Sequence, residues 1–128
     1  MRKYGKMIGV LLLMMLALGV LAGCGSDKPA AQKSRIDEIK QKGKLILATG
    51  NYRPFEYHDE KTNKIIGYDI DVAEAVAKKI GVPLEVQEMQ FTSLIPTLQN
   101  GQADLVIAAM YITDQRREVV DFAEPYMD

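Results

Sequence analysis

The chain has 128 residues, is 48% hydrophobic and carries a formal net charge of -1, enough for one small domain. Its single cysteine, Cys24, excludes an internal disulfide and any multi-cysteine metal site, and its single histidine, His58, argues against a histidine-based metal cluster. No basic run occurs beyond the first six residues, so there is no nucleic-acid footprint.

Arg2, Lys3 and Lys6 precede an apolar stretch from Met7 to Ala22. This is a positive n-region and an h-region, shorter than the about twenty residues a membrane span needs. It ends in Leu21-Ala22-Gly23-Cys24, which is similar to a bacterial lipobox. The similarity implies a lipoprotein signal peptide over residues 1–23 and a diacylglyceryl anchor on Cys24. The alternative is a plain anchor helix with an incidental cysteine. Cleavage would leave 13 basic and 17 acidic side chains. A mildly acidic, tethered domain does not lie flat on an anionic membrane. Residues 25–33 are polar and read as a flexible tether.

Ser34 is a plausible N-cap for a short helix with Ile36 and Ile39 on one side, stopped by Gly43. Residues 44–49 form the first strand, and Asn51 to Phe55 the loop at its carboxyl end. Residues 55–58 and 64–68 can pair as a hairpin across the polar turn 59–63. Asp69 then looks like the N-cap of an amphipathic helix whose Val72, Ala73, Val76, Ala77 and Ile80 share a face, with Gly81 as its stop. Residues 84–89 form a further strand. Thr92 or Ser93 can cap a helix to Asn100 that tolerates Pro96 near its first turn.

Leu105 to Ala109 is a continuous apolar run, the pattern of a strand buried on both faces of a parallel sheet. Thr113 and Asp114 open one more helix, with Arg116 in its first turn. A strand that ends at a helix N-terminus offers an anion site, and an arginine there can hold a carboxylate through two parallel hydrogen bonds. The competing reading is a surface arginine paired with Asp114 or Glu118. The alternation of strands and helices predicts an α/β domain with a mostly parallel sheet flanked by helices. Three loops, carrying Asn51–Tyr52, Gln90–Phe91 and Met110 to Arg116, meet at the carboxyl ends of its strands.

Several blocks resemble bacterial extracellular solute-binding proteins of family 3, the receptors of polar amino-acid ABC importers. They are Gly-Tyr-Asp-Ile-Asp-Val-Ala-Glu-Ala-Val-Ala (67–77), Pro-Phe-Glu-Tyr (54–57), Phe-Thr-Ser-Leu-Ile-Pro-Thr-Leu (91–98), Ile-Thr-Asp-Gln-Arg-Arg (112–117) and Val-Asp-Phe-Ala-Glu-Pro-Tyr (120–126). The resemblance runs from about Lys44 to the end of the chain. It implies a two-lobed, type II periplasmic-binding-protein-like fold closing on an amino acid or related zwitterion. It implies an aromatic wall from Tyr52 and Phe91, contacts from Ala108, Ala109 and Tyr111, and Arg116 on the ligand carboxylate. It further implies a permease partner in the cytoplasmic membrane, an extracytoplasmic location and no cofactor.

The chain departs from the family at three points. Gly50 and Asn51 stand where many members carry an acid, Ala109 where many have glycine, and Tyr111 where many have threonine. Family members also insert a second lobe, so residues 44–128 are expected to be an incomplete first lobe, with residues 24–43 as lipidated tether and short helix. Three alternatives stand beside a binding protein. The first is a cyclohexadienyl-dehydratase-like enzyme, for which Glu56, Asp114 and His58 are the acid–base candidates, His58 reading otherwise as a solvated turn flank. The others are a sensor lobe and a non-binding remnant.

Overall fold

The computed structural model describes residues 34–127. Cys24, the leader 1–23 and the tether up to residue 33 lie outside the described residues.

Ser34 caps α1 (Arg35–Lys42) as expected: its hydroxyl accepts the Asp37 N–H at 3.2 Å while Asp37 accepts the Ser34 N–H at 3.3 Å. Gly43 closes the helix in the left-handed region, φ 77°. Of the two isoleucines only Ile39 is buried. It packs against Leu45 and Ala77, which makes α1 part of the same compact unit as the sheet.

Strand β1 (Leu45–Thr49) is the centre of a three-stranded parallel sheet, ordered β4–β1–β5, where β4 is Leu84–Glu88 and β5 is Leu105–Val106. The register sets Leu47 opposite Val86 on one side and Leu105 on the other. Successive β1 side chains point to opposite faces. Leu47 therefore packs on Ile70 and Ala73 of α2 (Tyr68–Ile80), and Ala48 on Leu94 of α3 (Phe91–Gln99). Helices cover both faces, which is why β1 is almost uninterruptedly apolar. The hairpin forms as β2 (Tyr57–His58) and β3 (Ile65–Ile66). Its turn is tied by Asp59, which accepts from the Thr62 hydroxyl at 2.7 Å and the Thr62 N–H at 2.8 Å.

Four expectations are corrected. Asp69 is not the N-cap of α2: Gly67 is, and the first N–H groups are met by loop carbonyls, Tyr68 N donating to Pro54 O (3.3 Å) and Asp69 N to Phe55 O (2.9 Å). That approach requires glycine, since Gly67 has φ 131° and a Cβ there would collide with the Phe55 carbonyl. The Asp69 side chain is thereby released for another use. Neither Thr92 nor Ser93 caps α3, which begins after Gln90 with no side-chain cap and carries Pro96 within it.

The apolar run 105–109 is not a strand buried on both faces. Only Leu105 and Val106 pair with β1, at the sheet edge. Beyond them side chains replace the ladder: the Thr49 hydroxyl donates to Ile107 O at 2.6 Å, and Ala109 N donates to Asp69 at 2.7 Å. Ala109 takes up φ 46°, a conformation unusual for a residue with a Cβ. Finally, Thr113 does cap α4 (Asp114–Arg117), accepting the Arg116 N–H at 3.2 Å, but this helix is a single turn and presents little dipole.

Candidate functional site

At the carboxyl ends of β1, β4 and β5 the three expected loops open into one cleft. Five of the six expected ligand-binding residues line it: Tyr52, Phe91, Ala108, Ala109 and Tyr111. Tyr52 lies flat on Phe55, with ring centroids 6.0 Å apart and planes 4° from parallel. Phe55 lines the cleft too and enlarges the aromatic wall beyond the two rings the sequence suggested. Tyr111 is 84% exposed.

Arg116 does not itself line the cleft; it backs onto it through two residues that do. One guanidinium nitrogen donates to the Tyr111 carbonyl at 2.6 Å, and the guanidinium carbon stands 5.3 Å from the centre of the Phe91 ring. No ion pair to Asp114 or Glu118 forms, so the surface-pair reading of Arg116 does not hold. The planar cation keeps further donors for an anion at the rim.

Two carboxyl groups are buried at the cleft: Asp69, which the sequence suggested only as a helix cap, and Glu56, an acid–base candidate that lines the cleft. Asp69, fully buried, accepts Ala109 N–H with one oxygen and the Tyr126 hydroxyl, at 2.8 Å, with the other. It thus joins the start of α2 to the cleft wall and to the last described segment. Glu56 is 1% exposed, and its Oε2 has no hydrogen-bond partner among the described residues. Burial, together with the charge of Asp69, pushes its carboxyl up to about 7. A proton on Glu56 converts the orphaned oxygen into a donor beside Asp69. The Tyr126 phenol is held above its ordinary value by burial and by its bond to Asp69, and its ring stacks on Tyr68 at 5.8 Å.

Glu88, which also lines the cleft, ends β4. It accepts from Asn51 Nδ2 at 3.2 Å and meets His58 Nε2 at 2.5 Å. His58 Nδ1 faces the Asn63 carbonyl at 3.1 Å. His58 is therefore not a solvated turn flank: it fastens the hairpin to the end of β4, and the Glu88 bond raises its affinity for a proton.

Residues 45–128 match the bacterial extracellular solute-binding proteins, family 3. The chain belongs to that family. Its fold is the α/β, parallel-sheet architecture of the type II periplasmic binding proteins. Among family 3 relatives, the arginine-binding extracellular protein ArtP of Bacillus subtilis is 40% identical over 107 residues, 83% of this chain and 38% of that one. The arginine-bound domain 1 of TmArgBP superposes with a TM-score of 0.70 at 41% identity, covering 72% of this chain and 73% of that domain. The ancestral amino-acid-binding protein AncCDT-1, described as a precursor of cyclohexadienyl dehydratase, has a TM-score of 0.71 at 42% identity over 73% of this chain and 41% of its own. The chain spans about two-fifths of the length of ArtP and of AncCDT-1.

Proposed function

We propose that this chain carries first-lobe residues of the extracytoplasmic substrate-binding component of an ABC importer for amino acids or related zwitterions. In this reading the ligand carboxylate is fixed by Arg116, and its body lies against Tyr52, Phe91 and Tyr111, with Ala108 and Ala109 giving backbone contacts. The observation that carries it is a guanidinium with no carboxylate partner among the described residues, seated on the ring of Phe91 at the rim of a cleft lined by the other five residues. Residues 44–128 are read as the partial lobe, 24–43 as the lipidated tether with its short helix, and 1–23 as the signal peptide. A binding role is favoured over catalysis: of the acid–base candidates, Glu56 is 1% exposed in the cleft wall, Asp114 does not line the cleft, and His58 is fastened to Glu88.

Titration calorimetry of the full chain against a panel of L-amino acids tests the site. Arg116→Ala is expected to weaken every carboxylate ligand by tenfold to a hundredfold, as loss of a charge-assisted bidentate contact does, about 1.5–3 kcal/mol. Unchanged affinity for all of them refutes the assignment. Anchoring is tested separately. Cells fed a labelled fatty acid should mark the wild type and not Cys24→Ala, and equal labelling would dismiss the lipid anchor.

A further inference from the structure

We infer that Glu88 is the carboxylate that reads the ligand's side chain, selecting a cationic group such as a guanidinium or ammonium, and that His58 holds that cation's place in the free protein. The inference rests on the reading of the cleft as an amino-acid site and names the class of side chain it takes.

Glu88 lines the cleft beside Asn51 and Tyr52, and its side chain is 34% exposed, open to a ligand but partly desolvated. Two neighbours from different elements fix it: Asn51, from the loop after β1, holds one oxygen, and His58, from β2, the other. A carboxylate oriented this way, in a cleft also lined by Tyr52 and Phe91, is a cation site in chemical terms. Asn51 is neutral, so it orients Glu88 without cancelling its charge. Phe91, which carries Arg116 on its ring, follows Glu88 by three residues. Those three residues span at most about 10 Å, so the two ends of one basic amino acid can meet Arg116 and Glu88 together.

His58 completes the argument. Both its ring nitrogens face acceptors, the Asn63 carbonyl and the Glu88 carboxylate, so the geometry is satisfied when both carry protons and the ring is a cation. Of the charged groups nearby, Glu88 alone is bonded to it. Asp59 is turned into its own turn, bonded by Thr62 and by Lys61 N–H, and Arg53 is engaged by Glu60 and the Tyr57 ring. The antiparallel neighbour of His58, Ile65, is apolar. A ligand cation that replaces the imidazolium on Glu88 removes the partner that favours the charged ring. His58 then gives its Nε2 proton to solvent and stays neutral, with Nδ1–H on the Asn63 carbonyl. The proton that His58 carries in the free protein leaves as a basic ligand binds, and affinity for such ligands rises with pH.

The experiment is calorimetry of the full chain with L-arginine and its neutral isostere L-citrulline, in two buffers of different ionisation enthalpy. Wild type should bind arginine at least tenfold more tightly than citrulline and release protons with arginine only. Glu88→Gln should bring the ratio close to one by weakening arginine. His58→Gln should keep the preference and abolish the proton release. Arg116→Ala should weaken both ligands alike. A preserved arginine preference in Glu88→Gln, or equal weakening of both ligands, overturns the role of Glu88, and absence of proton release overturns that of His58. If neither ligand binds wild type, or Arg116→Ala changes neither, the amino-acid site itself is refuted and this inference with it.

Discussion

Glu56 shows how one buried carboxyl ties the cleft to the pH of its surroundings. Its folded-state value of about 7 lies above the ordinary 4.5, so the folded chain holds this proton more tightly than the unfolded chain does. The folded state is therefore favoured most below pH 4.5, and the Glu56 contribution is lost as the pH rises through 7. The full loss is bounded at about 3 kcal/mol, at 1.36 kcal/mol for each pH unit of displacement. His58, raised by Glu88, loses stability in the same direction as its proton leaves. Asp59 and Glu85, both lowered by their hydrogen bonds, act only in acid, below the window in question. Denaturant unfolding at about pH 5 and about pH 8 should thus show a drop in wild type and a smaller drop in Glu56→Gln. Identical drops would mean that the Glu56 proton is not linked to folding. Gly50 belongs to the same arrangement: a Cβ there would stand 3.3 Å from Glu56 Oε1.

The elements around β1 are joined by Asp104 as much as by apolar contact. Its side chain, 1% exposed, accepts from Lys42 at 2.5 Å, Arg35 at 3.1 Å and the Ile46 N–H at 2.9 Å, fastening α1 and β1 to the start of β5. Asp104→Ala returns the two half-exposed cations to water but strands the Ile46 N–H, and should cost about 1–3 kcal/mol. Asp104→Asn, which can still accept from Ile46, should cost less. Chemical denaturation of both variants checks the order, and equal losses would show that the backbone bond is not what matters. Order and type of elements were legible because the signals are local: the Ser34 box, the Gly43 and Gly81 stops, and the apolar face of α2. What escaped the sequence depends on partners far along the chain. Asp69 reads as a cap but spends its oxygens on Ala109 and Tyr126, forty and fifty-seven residues away. The run 105–109 has a buried-strand composition, yet Thr49 and Asp69 take the backbone groups a ladder would have used. The cleft loops were readable from position and resemblance, whereas the Glu88–His58–Asn51 contact needed the register of β4 on β1.

Among the described residues, the three apolar clusters each take one buried residue from β1: Leu45, Leu47 and Ala48. Many of their other members are alanines, so the volume around the sheet centre depends on few large side chains. Leu47 is fully buried between Ile70 and Ala73. Leu47→Ala leaves a cavity that neighbouring alanines cannot fill, and the expected loss is about 2–5 kcal/mol, a large share of the about 5–15 kcal/mol typical of a domain. Val86→Ala, on the half-buried edge strand β4, removes a partly exposed side chain and should lose less. A ligand acts on the same balance from the other end of β1. L-arginine at a hundredfold excess over its Kd adds about 2.7 kcal/mol to any folded state that binds it. Leu105 and Ile107, which pack with Leu47, also line the cleft, so the two effects should couple, by about 0.5–3 kcal/mol. Unfolding midpoints of wild type and Leu47→Ala, each with and without L-arginine, provide the measurement. A smaller ligand-induced gain in Leu47→Ala is expected, because Leu105 and Ile107 bear on both Leu47 and the cleft. Equal gains in both proteins would show instead that packing at the sheet centre does not bear on the cleft.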